Sequence, residues 1–413
     1  MHFQFTFLLM SLMIVFTIVI PMFYRIFSIG FIVFFKKEDK FLGEPKKDYS
    51  LEPTVSILIS AFNEGQNVYN AVKSMVENEY PRHKLQILVR DDCSPDDTWE
   101  WVKKIGEDFE NVIVSKNEHN MGKALTFVEL AQEASGEIII GADSDCMFYP
   151  NTIKELVVCF TDDKIAGVGG RIGILNTNQN LLTQYQAIIY ASSFYLSKTI
   201  ESSLGIVQCL GGPLVAFRKN HYLEIVSKIQ NRNFLGSPTS NGEDRAITQY
   251  LLARGYMTHI NLKARCRVGT PNTIVGFFNQ QLRWRRSQLM QAFELVFTIY
   301  ERLQHNGILN ALASLLPAAR IFTWMILSCY LIWSGNMFTL LIIQVLLGVI
   351  IAPVIGLIYN GVINDETQKL KNPVLAPMIL SFSFIFSILY ISMYAIFTMD
   401  DGGWVTRTKT SQA

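Results

Sequence analysis

Apolar and polar positions divide this chain into two regimes. Residues 3–24, 321–364 and 372–399 carry no charged side chain, whereas 36–320 mixes apolar runs with charge. A helix needs about 20 apolar residues to cross a bilayer, so the uncharged stretches predict membrane spans around one large aqueous domain. Within that domain the period alternates. A polar connector, Glu38–Pro53, leads into Val55–Ser60 (VSILIS), an unbroken apolar run of strand length, and a helical stretch follows through Glu77. Leu85–Arg90 (LQILVR), Val112–Ser115 and Glu137–Ala142 (EIIIGA) read as further strands, separated by helices over Asp96–Ile105 and Lys123–Ala134. Strands this apolar, spaced by helices, predict an α/β fold with a mostly parallel, Rossmann-like sheet covered on both faces. From 150 to about 270 the pattern turns α+β. From Gly276 to Arg302 it is helical and amphipathic, with Phe277, Phe278, Leu282 and Leu289 alternating with Arg283, Arg285 and Arg286. Such a helix suits a membrane surface; a core helix with a solvated basic face is the alternative.

Composition sharpens this picture. The chain is 50% hydrophobic and only 17% charged, against about 25% charge in soluble domains. A net charge of +1 gives no general attraction to nucleic acid, and none is expected as a partner. Lys36, Lys37, Lys40, Lys46 and Lys47 follow the first apolar stretch while only His2 precedes it. The positive-inside rule then places the N-terminus outside and the aqueous domain in the cytoplasm. MHFQF lacks a basic leader and no small-residue cleavage site follows, so this stretch is expected to be a retained span. Cysteines 93, 146, 159, 209, 266 and 329 form no CxxC pair and are expected to be free thiols.

The candidate chemistry clusters at strand ends. Asn63 and Glu64 follow the first strand, Asp91 and Asp92 the second, and Asp143-Ser144-Asp145 the fourth; Lys123, in NMGK, opens the helix after the third. In a parallel sheet the strand C-termini share one edge, where ligands bind. Two carboxylates flanking one residue suit Mg²⁺ or Mn²⁺, which take one or two carboxylates plus water and substrate phosphates. The inferred ligand is a metal-bound diphosphate, with Asp91 and Asp92 placed to hydrogen-bond a nucleoside. Neither a P-loop nor a GxGxxG after the first strand is present.

The ordered set AFNEG, RDDCS, NMGKA, ADSD, CLGGP, NGEDR, QQLRW and GGWVTR, spanning 55–407, resembles membrane-embedded processive family 2 glycosyltransferases. These include hyaluronan synthases, chitin and chito-oligosaccharide synthases, and single-chain capsule synthases. CLGGPLVAFRK and FLGSPTSNGEDR look most like hyaluronan synthases, while GEDR itself looks more like the chitin type. The resemblance implies a GT-A-type domain in which Glu64, Asp91, Asp92, Lys123 and Asp143 bind nucleotide and Asp145, with Asp143, binds metal. It implies Asp244 as general base between Glu243 and Arg245, and Gln280, Arg283 and Trp284 (QxxRW) at the diphosphate and acceptor sugar. Gly211, Gly212, Trp404, Thr406 and Arg407 fall in the remaining acceptor-side motifs. From the residues alone, a surface ion pair with Arg245 is the alternative for Asp244, and an interfacial anchor the alternative for Trp284. Two positions depart from the family pattern: Cys93 stands where Gly is usual after the paired Asp, and Val405 where WGTR has Gly.

The expected organisation is a transmembrane segment at 1–35, a cytoplasmic catalytic domain at 36–275 and interface helices at 276–308. Transmembrane or re-entrant helices at 309–399 and a gating-type segment at 400–413 complete it. The expected activity is inverting, processive transfer from UDP-sugars to a β-linked polysaccharide that crosses the cell membrane through the protein itself. UDP-GlcNAc is the expected donor, with UDP-GlcA as a second. Chitin, chito-oligosaccharide or capsule synthesis, and a non-catalytic channel subunit, are the alternatives. Spans near 317–334, 338–360 and 374–398 would leave Trp404 outside; Pro373 and Pro377 and the basic Arg407 and Lys409 instead predict a re-entrant or interfacial 374–398 and a cytoplasmic C-terminus.

Overall fold

A computed structural model describes residues 44–234, 236–239, 242–335, 349, 353–361, 363, 365–378 and 391–399. The first half follows the periodicity closely. Strand β1 (Val55–Ala61), helix α1 (Asn67–Val76), β2 (Leu85–Asp91), α2 (Thr98–Asp108), β3 (Val112–Lys116), α3 (Lys123–Glu133) and β4 (Ile138–Asp143) alternate in order. Helix α1 buries Val68, Ala71, Val72, Met75 and Val76, the spacing that makes one apolar stripe. In β1, Ile57, Leu58 and Ile59 are wholly buried, because helices cover both faces of a central parallel strand. Each such side chain contributes about 1.5–3 kcal/mol by leaving water. Arg90, at the end of β2, clamps α3 to the sheet through Glu129 (2.6 Å) and Glu133 (2.7 Å).

The remaining elements are β5 (Met147–Phe148), α4 (Thr152–Val157), β6 (Ile165–Ile174), α5 (Leu181–Ser192), β7 (Leu214–Arg218), the small pair β8 (Asn233–Phe234) and β9 (Ser237–Pro238), α6 (Glu243–Ala253), β10 (Met257–Val268), α7 (Ile274–Trp333) and α8 (Ser392–Phe397). Eight strands form one sheet in the order β3-β2-β1-β4-β7-β6-β10-β5. The parallel expectation holds for β3-β2-β1-β4 and for β6 with β10. It fails at β7, which runs antiparallel to both β4 and β6, and at β5, antiparallel to β10. The sheet is therefore mixed. A short run such as Leu214–Phe217, buried throughout, has the same pattern in either direction, so its polarity is not written in its period.

The boundary expected at 308/309 lies inside α7, a single 60-residue helix. Asn306-Gly307 reads as a helix stop, yet Arg302 and Ala311, on either side, are both buried and packing keeps the backbone helical. Among the described residues no helix is long and apolar enough to cross a membrane. The expected span at 3–24 and most of 338–352 and 379–390 lie outside the described residues, as does the C-terminus. The segment around 365–372 docks on the α/β domain: Asp365 accepts from the Tyr149 hydroxyl, Gln368 pairs with the Ile174 backbone (2.7 and 3.0 Å), and the Asn372 amide donates to Gln184 (2.8 Å). Helix α8 returns to α7, where Ile391, Ala395 and Met399 pack with Leu282, Leu289 and Met290, and Arg286 donates to Thr398 (3.1 Å).

Candidate active site

The carboxyl ends of β1, β2 and β4 open onto a cleft of about 2360 Å³. At its first corner Asn63 adopts φ 57°, and the loop is pinned by α2 and the turn before it. Thr98, the first residue of α2, accepts from the Glu64 and Gly65 amides (2.9 and 2.8 Å), and Ser94, in the turn, from that of Asn63 (3.1 Å). Glu64 is thereby presented to the cleft. Asp92 accepts from the Asn117 side chain (2.8 Å) and from the Met121 and Gly122 amides (2.9 and 2.8 Å), so it fixes the NMGK loop while lining the cleft. Asp91 lies behind the lining: it is fully buried, accepts from the Ser94 amide (3.3 Å) and pairs with Lys116 (3.7 Å).

The turn after Asp92 keeps the left-handed conformation despite its departure from the family pattern, with Cys93 at φ 60°. That region is open to Gly and costly for a β-branched side chain. Cys93→Gly should leave the melting temperature and transfer rate near wild type, whereas Cys93→Val should lower stability by about 1–3 kcal/mol. Thermal melts of both variants check this, and equal melting of the two would show that the turn carries no strain.

Across the cleft, Lys123 pairs with Asp143 at the end of β4 and, at 3.9 Å, with Glu243 at the start of α6. Burial works against the Lys123 charge, but Asp143 and Glu243 outweigh it and hold the amine above its ordinary range. Burial pushes the Glu243 carboxyl up; Lys123 pulls it back, and neighbouring Asp244 adds to the rise. Asp244 accepts from the Gly212 amide (3.4 Å) and from the Arg245 amide (2.7 Å). Among the described residues no ion pair joins its carboxylate to the Arg245 guanidinium, so the simple surface-pair alternative falls away. A Cβ on Gly212 would come within 3.1 Å of the Lys123 amine and 3.8 Å of the Asp244 Cβ; the CLGGP backbone thus runs close to both, and a side chain there would press on the Lys123 amine while making ordinary contact with Asp244. Cys209, 3.8 Å from Asp244, is kept a thiol, its pKa pushed up to about 11 by burial and by that carboxylate.

Helix α7 closes the cleft with Gln280, Arg283 and Trp284, all lining it. The Trp284 ring lies 5.8 Å from that of Tyr190 on α5, and Phe277 meets Tyr185 at 6.0 Å. Trp284 thus faces the cleft as part of an aromatic wall.

These elements recur in known proteins. Residues 56–225 match the model for Glycosyl transferase family 2. The chain carries a family 2 glycosyltransferase domain. It is similar to the hyaluronan synthase of Streptococcus pyogenes serotype M1, 26% identical over 379 residues, 90% of this chain and 87% of that one. It is also similar to the N-acetylglucosaminyltransferase of Azorhizobium caulinodans, 25% identical over 365 residues, 86% of this chain and 88% of that one. Among solved structures, the mannosyltransferase PcManGT from Pyrobaculum calidifontis, in complex with GDP-Man and Mn²⁺, superposes with a TM-score of 0.51 at 16% identity, covering 79% of this chain and 92% of that one. That likeness is one of fold, a GT-A-like mixed sheet with helices. The protein is a glycosyltransferase, and the non-catalytic alternative is set aside.

The glycosyltransferase brings Glu64, Asp92, Lys123, Asp143, Asp145, Gly211, Gly212, Glu243, Asp244, Arg245, Gln280, Arg283 and Trp284 to one cleft, with Asp91 behind it. Trp404, Thr406 and Arg407 lie outside the described residues. Sequence reasoning missed Ser94, Thr98 and Asn117, which hold the two loops, and Tyr190 and Lys198, which line the cleft. Ser94 closes the RDDCS motif, where the paired Asp drew the attention; the other four fall outside the quoted motifs, and no periodicity marks them. For a divalent cation, Asp143 and Asp145 offer hard oxygen donors on an open cleft, and among the described residues no group of three or more His, Cys, Asp or Glu gathers as a metal site. Two carboxylates with room for water and phosphate are the donor set that Mg²⁺ and Mn²⁺ accept, so the residues fit.

Proposed function

We propose that this glycosyltransferase builds a hyaluronan-type, β-linked polysaccharide from UDP-GlcNAc and UDP-GlcA, adding sugars processively and passing the chain through its own membrane segments. One observation carries the reading: Lys123 with Asp143, Asp145, Asp244 and the Gln280–Arg283–Trp284 face all front a single cleft. Its volume of about 2360 Å³ exceeds the roughly 300–1,000 Å³ of a single small-ligand pocket, leaving room for nucleotide-sugar and acceptor chain together. The names of the two relatives support GlcNAc among the sugars. The docking of 365–372 and of α8 on the same body supports a segment 374–398 that does not cross a membrane once, with the C-terminus on the catalytic side.

In this reading Glu64, Asp92, Lys123 and Asp143 hold the nucleotide, and Lys123 and Arg283 face the charge that develops on the leaving diphosphate. Asp244 accepts the proton of the acceptor hydroxyl as that oxygen attacks the sugar C1. Attack from the face opposite the leaving group inverts the anomeric centre. Gln280 positions the acceptor, and Trp284 offers its ring plane to the apolar face of the sugar. Held by Asp145 and Asp143, Mg²⁺ or Mn²⁺ would supply positive charge to the diphosphate. Chelator should therefore abolish turnover, and Asp145→Asn should retain the fold but lose most metal-dependent UDP binding, as read by calorimetry. Full activity in excess chelator would refute the metal role. Trp284→Ala should shorten the products or leave only donor hydrolysis; wild-type chain lengths on a gel would return Trp284 to an anchoring role.

The product itself is the test. Membranes supplied with both labelled UDP-sugars should yield a polymer cut by hyaluronan-specific hydrolase and resistant to chitinase. The reverse outcome would favour a chitin-type synthase, the reading that Glu243 in GEDR supports.

A further inference from the structure

Helix α5 gives way, at the cleft wall, to a π-helical turn over Ser193–Lys198, a widened turn that recurs at functional sites. Its last residue, Lys198, lines the cleft. The ammonium sits 4.6 Å over the Phe194 ring and donates to the Cys209 carbonyl at 2.8 Å. These contacts fix its position without neutralising it, and among the described residues no carboxylate forms an ion pair with it. Lys123 is its opposite, paired by Asp143 and Glu243. The two amines lie along the Gly211-Gly212 backbone: a Cβ on Gly212 would stand 3.1 Å from the Lys123 amine, and one on Gly211 would stand 3.9 Å from that of Lys198. Asp244 touches both Gly212 and Cys209, so it stands between the diphosphate side, marked by Lys123 and Asp143, and the side marked by Lys198.

An acceptor sugar must bring its hydroxyl to Asp244 while leaving the Lys123 side to the donor. It therefore lies toward Lys198. A neutral sugar presents only hydroxyls there, whereas a uronate presents a carboxylate that a fixed, unneutralised ammonium binds through a charge-assisted hydrogen bond. We propose that Lys198 binds the carboxylate of a uronate at the growing end of the acceptor and so selects uronate-ended over neutral chains. The proposal rests on the hyaluronan-type reading of the same cleft.

The test uses full-length protein in membranes, labelled UDP-GlcNAc, and two oligosaccharide acceptors that differ in one group: a terminal glucuronate, or the same sugar with its carboxyl reduced to the alcohol. Wild type should favour the glucuronate-ended acceptor by about ten- to a hundredfold in kcat/KM, the range of a hydrogen bond to a charged group, mainly through KM. Lys198→Met and Lys198→Gln should lose that preference, and Lys198→Arg should keep most of it. A preference equal to wild type in either neutral variant would overturn the role of Lys198 while leaving hyaluronan-type synthesis standing. A wild-type enzyme that ignores both acceptors yet extends GlcNAc-ended chains would overturn the hyaluronan-type reading and this proposal with it.

Discussion

Asp244→Asn is expected to cut sugar transfer by two or more decades while UDP-sugar binding stays near wild type. Asn is nearly isosteric, though the Gly212 and Arg245 amides donate to different oxygens of Asp244 (3.4 and 2.7 Å), so its single carbonyl can keep only one of them, the shorter Arg245 contact being the one to retain. It has no basic lone pair with which to take a proton, and a positioned base contributes about 10²–10⁴-fold. The donor side stays intact because Lys123 and Asp143 pair with each other. Titrating UDP binding alongside initial rates separates the two effects. Unchanged transfer by a folded variant would remove Asp244 from the base role and turn attention to Glu243, whose carboxyl is lifted by burial.

The second large effect comes from a position with no chemistry of its own. Gly242 precedes α6 at φ 69°, and a Cβ there would fall 1.8 Å from the Ser287 hydroxyl and 2.6 Å from its Cβ. Gly242→Ala cannot be absorbed by a rotamer change alone, since the second of those atoms is anchored to α7. The variant should lose about 1–3 kcal/mol of stability from the overpacked contact. Transfer should fall by at least tenfold, because a 1 Å misplacement of a catalytic group can cost about a hundredfold. Ser287→Gly, which removes both clashing atoms, should recover much of the rate in the double variant. No recovery would mean that the left-handed backbone, rather than the contact with α7, is what Gly242 supplies.

The first four strands and their helices were legible because burial there is periodic. A strand such as Val55–Ala61, covered on both faces, is apolar throughout, and a helix such as Asn67–Val76 shows its buried stripe at helical spacing. Motif residues at the ends of those strands followed from the shared edge of a parallel sheet. The second half was harder. β7 reads the same in either direction, and α7 runs through an apparent stop at Asn306-Gly307 because tertiary packing overrides local preference.

Sequence by itself determined the fold class, the edge on which the site would form, and the residue types available for diphosphate, metal and proton transfer. Tertiary structure decided what each does to the others. Asp91 and Asp92 are adjacent in sequence, yet one is sealed behind the cleft while the other ties down the NMGK loop. Thr98 and Asn117 prove to be the loop supports, Gly212 the passage between Lys123 and Asp244, and Tyr190 the neighbour of Trp284. The physical reason is range: periodic burial is a property of neighbouring residues and is written locally. A hydrogen bond or a close approach between segments distant in sequence exists only once the sheet and α7 have packed.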